Sequence, residues 1–369
     1  MGRGLMESTQ NQTSNLLNEV GLGLSGGGYR ATLFHLGTFW WFCEHEKLRI
    51  IDRVASVSGG AITAALVGLK WKSIQDVPSY INHVVTPIRT LTSTTIDRGS
   101  ILKGLLFPGS VGQQISKKYA KILYGKATLQ DLPDNTRFII NSTNVGTGKL
   151  WRFSKPYMGD YQVGLINEPK VSLANAVTAS SAFPPILSPF TLKVRPENFN
   201  QEGDLRIPEL QKNITLTDGG VYDNLGLEAI EKRCQTVLVS DAGGTVPVDI
   251  TPAKNWLSHT KRVMGIIHGQ VAGQRRRELV ENYVNDKKSG AYWGIRTDIT
   301  QYGLNDAFYA PLNRTRELSD LPTRLKRMDD DLQERLINWG YAVCDAAMRR
   351  YLFPEISRPQ SLPYPGRAI

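Results

Sequence analysis

Apolar and polar positions along this chain alternate between short strand-like runs and helical runs, with glycine at several of the joins. Residues 18–24, NEVGLGL, read as a strand that runs into Gly26, Gly27 and Gly28. Residues 30–46 are apolar nearly all round, which predicts a buried helix. RVASV at 53–57 predicts a short strand, and the small, apolar GGAITAALVGL at 59–69 a second buried helix. Strands are predicted over 136–144 and 150–154, joined by a turn at Gly146-Thr147-Gly148, and again over 214–218 and 236–241. Trp256, Val263, Ile267, Val271, Leu279 and Tyr283 recur at helical spacing over 255–285. So do Leu325, Met328, Leu332, Leu336, Trp339 and Val343 over 324–352, before Pro354 stops the run. Strand and helix alternate, so the fold class is α/β in layers. No repeat, low-complexity tract or linker divides the chain. The expectation is one domain over 16–353, with a core at about 18–245, a helical C-terminal part at about 255–353, and flexible or wrapping tails at 1–15 and 354–369.

Composition changes this picture little. The chain has 369 residues, 41% hydrophobic and 21% charged, which is the profile of a globular protein. Its best apolar run, 31–43, is shorter than the ~20 residues a spanning helix needs and contains His35. The start of the chain has no signal-peptide core, and Met6 stands where a myristoylation signal wants Ser or Thr. These features predict a cytoplasmic protein. Cys43, Cys234 and Cys344 are too few and too scattered for a disulfide framework or a clustered metal site. The net charge is +10, and residues 254–369 hold 19 Lys and Arg against 13 Asp and Glu. That excess suits an anionic surface, but no recognition motif points to nucleic acid, so none is expected as a partner.

The chemistry gathers at three glycine-rich joins. In SVSGG, residues 56–60, Ser58 sits between a strand and a small-residue helix, flanked by Gly59 and Gly60. That is the shape of a nucleophile elbow, where a sharp turn exposes the hydroxyl and demands small neighbours. Ser56 stands where the pattern has glycine. A serine nucleophile needs a base. His35, His45, His83, His259 and His268 lie in helical or ordinary settings, with no strand-end glycine beside them. Asp218, ending a strand ahead of Gly219 and Gly220, is the better candidate. Gly26, Gly27 and Gly28 fit neither the G-x-x-x-x-G-K-[ST] nor the G-x-G-x-x-G phosphate pattern, so they are read as backbone N–H donors for an oxyanion.

SGGGYRA at 25–31, SVSGG at 56–60, ANAVTASSAFPPILSPF at 174–190 and DGG at 218–220 occur in this order. Together they resemble the patatin-like phospholipase family, in its bacterial type. The resemblance implies a three-layer α/β/α sandwich with a mostly parallel central sheet. It implies a Ser–Asp dyad without histidine, with Ser58 the nucleophile and Asp218 the base acting directly on it. Gly26, Gly27 and Gly28 would form the oxyanion hole, braced by Arg30. Ser25 and Ala31 depart from the family loop, which opens with Asp and has Gly after the Arg. No metal or cofactor is expected. The implied activity is a phospholipase A or lysophospholipase acting at a membrane surface, as a peripheral protein of its inner face. Two alternatives stand beside it: the same catalyst gated by a small-molecule or protein activator, and a non-catalytic lipid- or partner-binding protein. Leu105-Leu106-Phe107-Pro108-Gly109 reads as a core-packed loop or a lid. Arg275-Arg276-Arg277 reads as a solvated helix face, and Trp40, Trp41 and Phe42 as core.

Overall fold

Five strands run parallel at the heart of the molecule, and their order explains where the glycine-rich joins end up. A computed structural model describes residues 18–96, 110–184, 187–246 and 248–369. Its strands are β1 (Val20–Leu24), β2 (Arg53–Val57), β3 (Arg137–Asn144), β4 (Lys149–Phe153), β5 (Tyr157–Asp160), β6 (Gly164–Asn167), β7 (Phe190–Lys193), β8 (Asn213–Asp218), β9 (Thr236–Asp241) and β10 (Ser289–Gly294). All join one mixed sheet in the order β10-β9-β1-β2-β3-β4-β5-β6. The pairs β10–β9, β9–β1, β1–β2 and β2–β3 are parallel. Beyond β3 the sheet continues as the antiparallel meander β4–β5–β6, with β8 and β7 as an antiparallel branch.

The parallel strands are apolar on both faces, and each face is covered. Alternation along the strands sorts their side chains. Val54 and Leu238 enter the larger core, whereas Ala55, Val237 and Val239 enter a smaller one on the opposite face. The larger core is covered by helices α1 (Gly28–Glu44) and α2 (Gly59–Leu69), with α3 (Ser110–Tyr119) and α4 (Leu173–Ser180) along the branch strands. The other face is covered by residues 225–234 and by Leu279 of the long helix α5 (Trp256–Val284). Helix α6 (Asp330–Tyr351) packs along α1. The result is the α/β layered sandwich that the sequence predicted.

Helices α1 and α6 approach unusually closely, and two glycines allow it. A Cβ on Gly340 would lie 1.9 Å from the Phe34 carbonyl oxygen, and one on Gly37 would lie 2.0 Å from that of Ile337. Trp40, Trp41 and Phe42 are buried, as expected. The last third of the chain is therefore built into the core: β10 extends the sheet and α6 buries nearly its whole length. The end of the chain folds back on α6, where Asn338 Nδ2 donates to the carbonyls of Tyr364 and Arg367 at 2.9 and 3.0 Å. All three cysteines are buried and free.

One helix expectation changes. Residues 324–328 are not helical, although Leu325 and Met328 are buried as their spacing suggested. Asp329 caps α6 by accepting the Leu332 N–H at 2.9 Å, so the helix starts there. In α5 the helix predicted from the spacing is present, and Trp256, Val263, Ile267 and Val271 on it are exposed. Only Leu279 of that helix is buried. The loop at 105–109 and the start of the chain, 1–15, lie outside the described residues.

Candidate active site

Ser58 lies on the turn between β2 and α2, and its backbone is the first sign of a built site. Its φ is 51° and its ψ −117°, a conformation that costs a non-glycine residue of order 1–3 kcal/mol. The strain lifts the side chain off the end of the strand, and α2 begins directly behind it at Gly59. The positive end of that helix faces any negative charge that forms on the serine oxygen. The turn leaves no room for side chains. A Cβ on Gly59 would meet the Gly28 carbonyl oxygen at 2.2 Å, and one on Gly60 the Leu24 and Ser25 carbonyls at 2.7 Å. Ser56 fits where the pattern has glycine, because its hydroxyl donates to the Ile139 carbonyl at 3.2 Å inside the sheet.

Register brings Asp218 to Ser58. Strand β2 pairs along one edge of β3 and ends with Val57 opposite Asn141. Strand β8 pairs with β3 in the opposite direction, and its last residue, Asp218, lies opposite Ser142. Because β4 occupies the other edge, β2 and β8 meet end to end on the same neighbour. The nucleophile turn and the carboxylate thus flank one point of β3, although 160 positions separate them in sequence. Asp218 is 3% exposed. Burial pushes its carboxyl up to about 6, while the N–H of Gly220 and the Ser58 hydroxyl, both hydrogen-bonding neighbours, pull it down. The Gly220 N–H reaches Asp218 Oδ1 at 2.7 Å.

The segment after α4 locks the two strand ends together. Ser180 Oγ accepts the Ser58 N–H at 2.9 Å and donates to the Asn141 carbonyl at 2.6 Å. The Ser180 carbonyl accepts the Gly219 N–H at 3.2 Å, and the Ala182 carbonyl accepts the Asp218 N–H at 2.9 Å. The ASSA stretch at 179–182 is therefore the clasp between nucleophile and carboxylate. Ser180→Ala removes the acceptor beneath Ser58, and steady-state kinetics should show kcat lowered by about 10–100-fold with KM little changed.

The glycine loop, 25–28, lies across the top of β1. Gly27 has φ 154° and Gly28 φ 61°, values that favour glycine. The Gly26 N–H is donated to the Asn224 carbonyl at 3.1 Å. Among the described residues the N–H groups of Gly27 and Gly28 have no acceptor. Gly26 thus differs from the sequence expectation, because its donor is already committed. A buried relay supports the loop from below: Trp293 Nε1–H to Thr38, Thr38 to Ser240, Ser240 to His35 Nδ1, and His35 Nε2 to the Ser25 carbonyl at 3.0 Å. Burial drives the His35 pKa down to about 4, so the ring is neutral and can donate from one nitrogen while accepting at the other. Ser25 Oγ accepts the Ala242 N–H at 2.7 Å, tying the loop to the end of β9.

Arg30 is buried and braces the loop indirectly. Its guanidinium donates to the carbonyls of Ala242, Ser319 and Leu321 and to Thr323 Oγ1. It thereby pins residues 319–324 against the first turn of α1, where the Tyr29 N–H reaches the Arg324 carbonyl at 3.1 Å. The part of the chain beyond 255 therefore closes over the glycine loop. Sequence reasoning found Ser58, Asp218 and the glycines but gave no role to Ser180, His35 or Asn224. Ser180 carried a signal, because it lies in a stretch already singled out. The other two act only through the tertiary neighbours that the sheet order gives them. Arg276 and Arg277 are exposed, as a solvated face predicts, whereas Arg275 is partly covered and pairs with Glu228 at 3.3 Å; Arg276 also reaches Asp241 at 3.8 Å.

Comparison with known proteins bears on the fold and the family. VipD from Legionella pneumophila is 16% identical, with 89% of this chain and 66% of that chain covered and a TM-score of 0.36. Human GIVD cytosolic phospholipase A2, solved with methyl gamma-linolenyl fluorophosphonate, is 13% identical, with 91% and 58% covered and a TM-score of 0.53. The chain spans less than two thirds of the length of either structure. No curated protein sequence matches it. The patatin-like phospholipase family matches residues 22–230, which hold the glycine loop, Ser58, the 179–182 clasp and Asp218. This chain belongs to the patatin-like phospholipase family.

Proposed function

We propose that the protein is a serine lipid acyl hydrolase of phospholipase A or lysophospholipase type, with Ser58 as nucleophile and Asp218 as its base. One observation carries the reading: a buried carboxyl raised to about 6 sits beside the hydroxyl of a strained serine, where two strand ends meet. An ordinary aspartate is too weak a base to draw a proton from serine near pH 7, and burial brings it closer to the working range.

In this reading Asp218 accepts the Ser58 proton as Oγ attacks the ester carbonyl. The carbonyl oxygen becomes an oxyanion, and the N–H groups of Gly27 and Gly28 donate to it, with Gly26 shaping the loop. The tetrahedral adduct collapses, the C–O bond to the alcohol breaks, and Asp218 returns the proton to the departing oxygen. Water then attacks the acyl-Ser58 ester with Asp218 again as base, releasing the fatty acid and restoring the serine. Arg30, Gly59, Gly60, Gly219 and Gly220 keep these groups in place.

The pH dependence follows. Only ionised Asp218 can take the proton, so kcat/KM should rise with pH through an apparent pKa near 6 and level off above pH 7. A limb near 4 would show an unperturbed carboxylate and argue against this base. The direct test is fatty-acid release from phospholipid vesicles with EDTA present. Wild type should release fatty acid and Ser58→Ala should not; equal release by both would overturn the proposal. Among the described residues no helix is long and apolar enough to cross a membrane, so the proposed route to substrate is peripheral contact.

A further inference from the structure

The first half of helix α5 is amphipathic, with its apolar side turned outward. Over its first sixteen residues, Trp256, Leu257, Val263, Met264, Ile267 and Val271 fall on one arc at 100° per residue. Trp256 is 77% exposed, Leu257 58%, Met264 53% and Ile267 58%. The opposite arc, with Arg262, Gly265, His268 and Ala272, is the partly covered one. A helix that serves the core alone would be turned the other way.

The topology says where this apolar side stands. Helix α5 crosses from the end of β9 back to the start of β10, so its own start lies at the end of the strands that carries Ser58. Its lower part is fastened to the sheet: Tyr283 Oη donates to the Val237 carbonyl at 2.7 Å, near the start of β9, and Arg276 pairs with Asp241, the last residue of β9. The twenty residues before Arg276 therefore rise past the edge of the sheet, about 30 Å at 1.5 Å per residue. Val248 and Ile250, in the loop leading into α5, are 94% and 93% exposed and extend the apolar surface.

Charge indicates what covers it. From residue 250 to 277 the chain has Lys254, Lys261, Arg262 and Arg275–277 and no Asp or Glu; Arg275 and Arg276 are matched by Glu228 and Asp241, which leaves Lys254 and Lys261 as the cations of the projecting part. Arg262 pairs with Asp249 outside that segment. A second copy packed about a twofold axis would set Lys254 and Lys261 against their own copies, with Asp249, the carboxylate just ahead of the segment, already paired with Arg262. An anionic lipid surface complements it, and a tryptophan-bearing, lysine-flanked helix is suited to the boundary between headgroups and acyl chains.

We infer that the projecting half of α5, with the loop at 248–257, is the surface by which this protein docks on an anionic phospholipid bilayer. Docking there turns the Ser58 end of the sheet toward the lipid. The inference rests on the lipid acyl hydrolase reading for its substrate but not for its measurement. The test is flotation of the full chain with phosphatidylcholine–phosphatidylglycerol vesicles, beside hydrolysis of a soluble short-chain ester. Trp256→Ser, Met264→Ser and Ile267→Ser combined should weaken vesicle binding at least 30-fold and leave soluble-ester turnover unchanged, because all three side chains are exposed. Lys254→Glu with Lys261→Glu should abolish the preference for anionic over pure phosphatidylcholine vesicles. Flotation of the triple variant equal to wild type overturns the inference. So does a wild type that stays off vesicles and forms a dimer that the triple variant splits. If flotation depends on the three residues but no ester is cleaved, the docking stands and the hydrolase reading falls.

Discussion

Asp218→Asn should lower ester turnover by about 10⁴-fold and, at pH 8, make the fold more stable. Both effects come from one burial. Asn keeps the shape of the carboxyl and can still accept the Gly220 N–H, but it cannot take the Ser58 proton. The native state holds the Asp218 carboxyl at about 6, above the 3.8 of an ordinary aspartate, so it binds the proton more tightly than the unfolded chain does. A raised carboxyl pKa contributes stability that is fully present below the unfolded value and is lost as pH rises through the folded one. The loss is complete above about pH 7, where it amounts to ~3 kcal/mol for two pKa units. The neutral amide escapes it. Thermal melts at pH 8 and pH 4 check the sign: the variant should gain on wild type at pH 8 and lose most of that gain at pH 4. A variant no more stable at pH 8 would show that the carboxylate is not held at a cost.

Gly340→Ala should destabilise the protein by about 3 kcal/mol or more, at the upper end for overpacking. The added methyl cannot fit, because its carbon would lie 1.9 Å from the Phe34 carbonyl oxygen in the facing helix. Neither backbone can give locally, so α1 and α6 must separate. Helix α1 starts at Gly28 and carries the glycine loop at its head, so turnover should fall along with the melting temperature. Gly269→Ala is the control. It lies in the projecting part of α5 with nothing within 4 Å of a new Cβ, and alanine there should be neutral or stabilise by up to about 1 kcal/mol. Equal melting temperatures for the two variants would rule out the close crossing.

How much of this was legible in the chain depended on how local the cause was. The strand–Ser58–helix turn could be read because a sharp turn needs small residues within a few positions of the nucleophile, and Gly59 and Gly60 are there. Asp218 could be named but not placed. Its approach to Ser58 depends on β8 pairing with β3 beyond the end of β2, a long-range register that no local pattern encodes. The spacing in α5 revealed a helix and an apolar arc but not the direction of that arc, since periodicity defines a face without saying what lies against it. Residues 324–328 have helical spacing but are not helical, because Leu325 and Met328 bond across to Ile96 and Thr92 before Asp329 caps α6. Strand β10 carries no clean alternation and gains its place from β9. The Gly26 donor was misjudged for a similar reason: its partner, Asn224, comes from the turn after β8.

The most direct measurement is reaction of the folded full chain with a fluorophosphonate, followed by peptide mass spectrometry to locate the adduct. The account predicts a single adduct on Ser58, absent in Ser58→Ala and formed far more slowly in Asp218→Asn. Labelling of a different serine, or equal rates at Ser58 with and without Asp218, would contradict it.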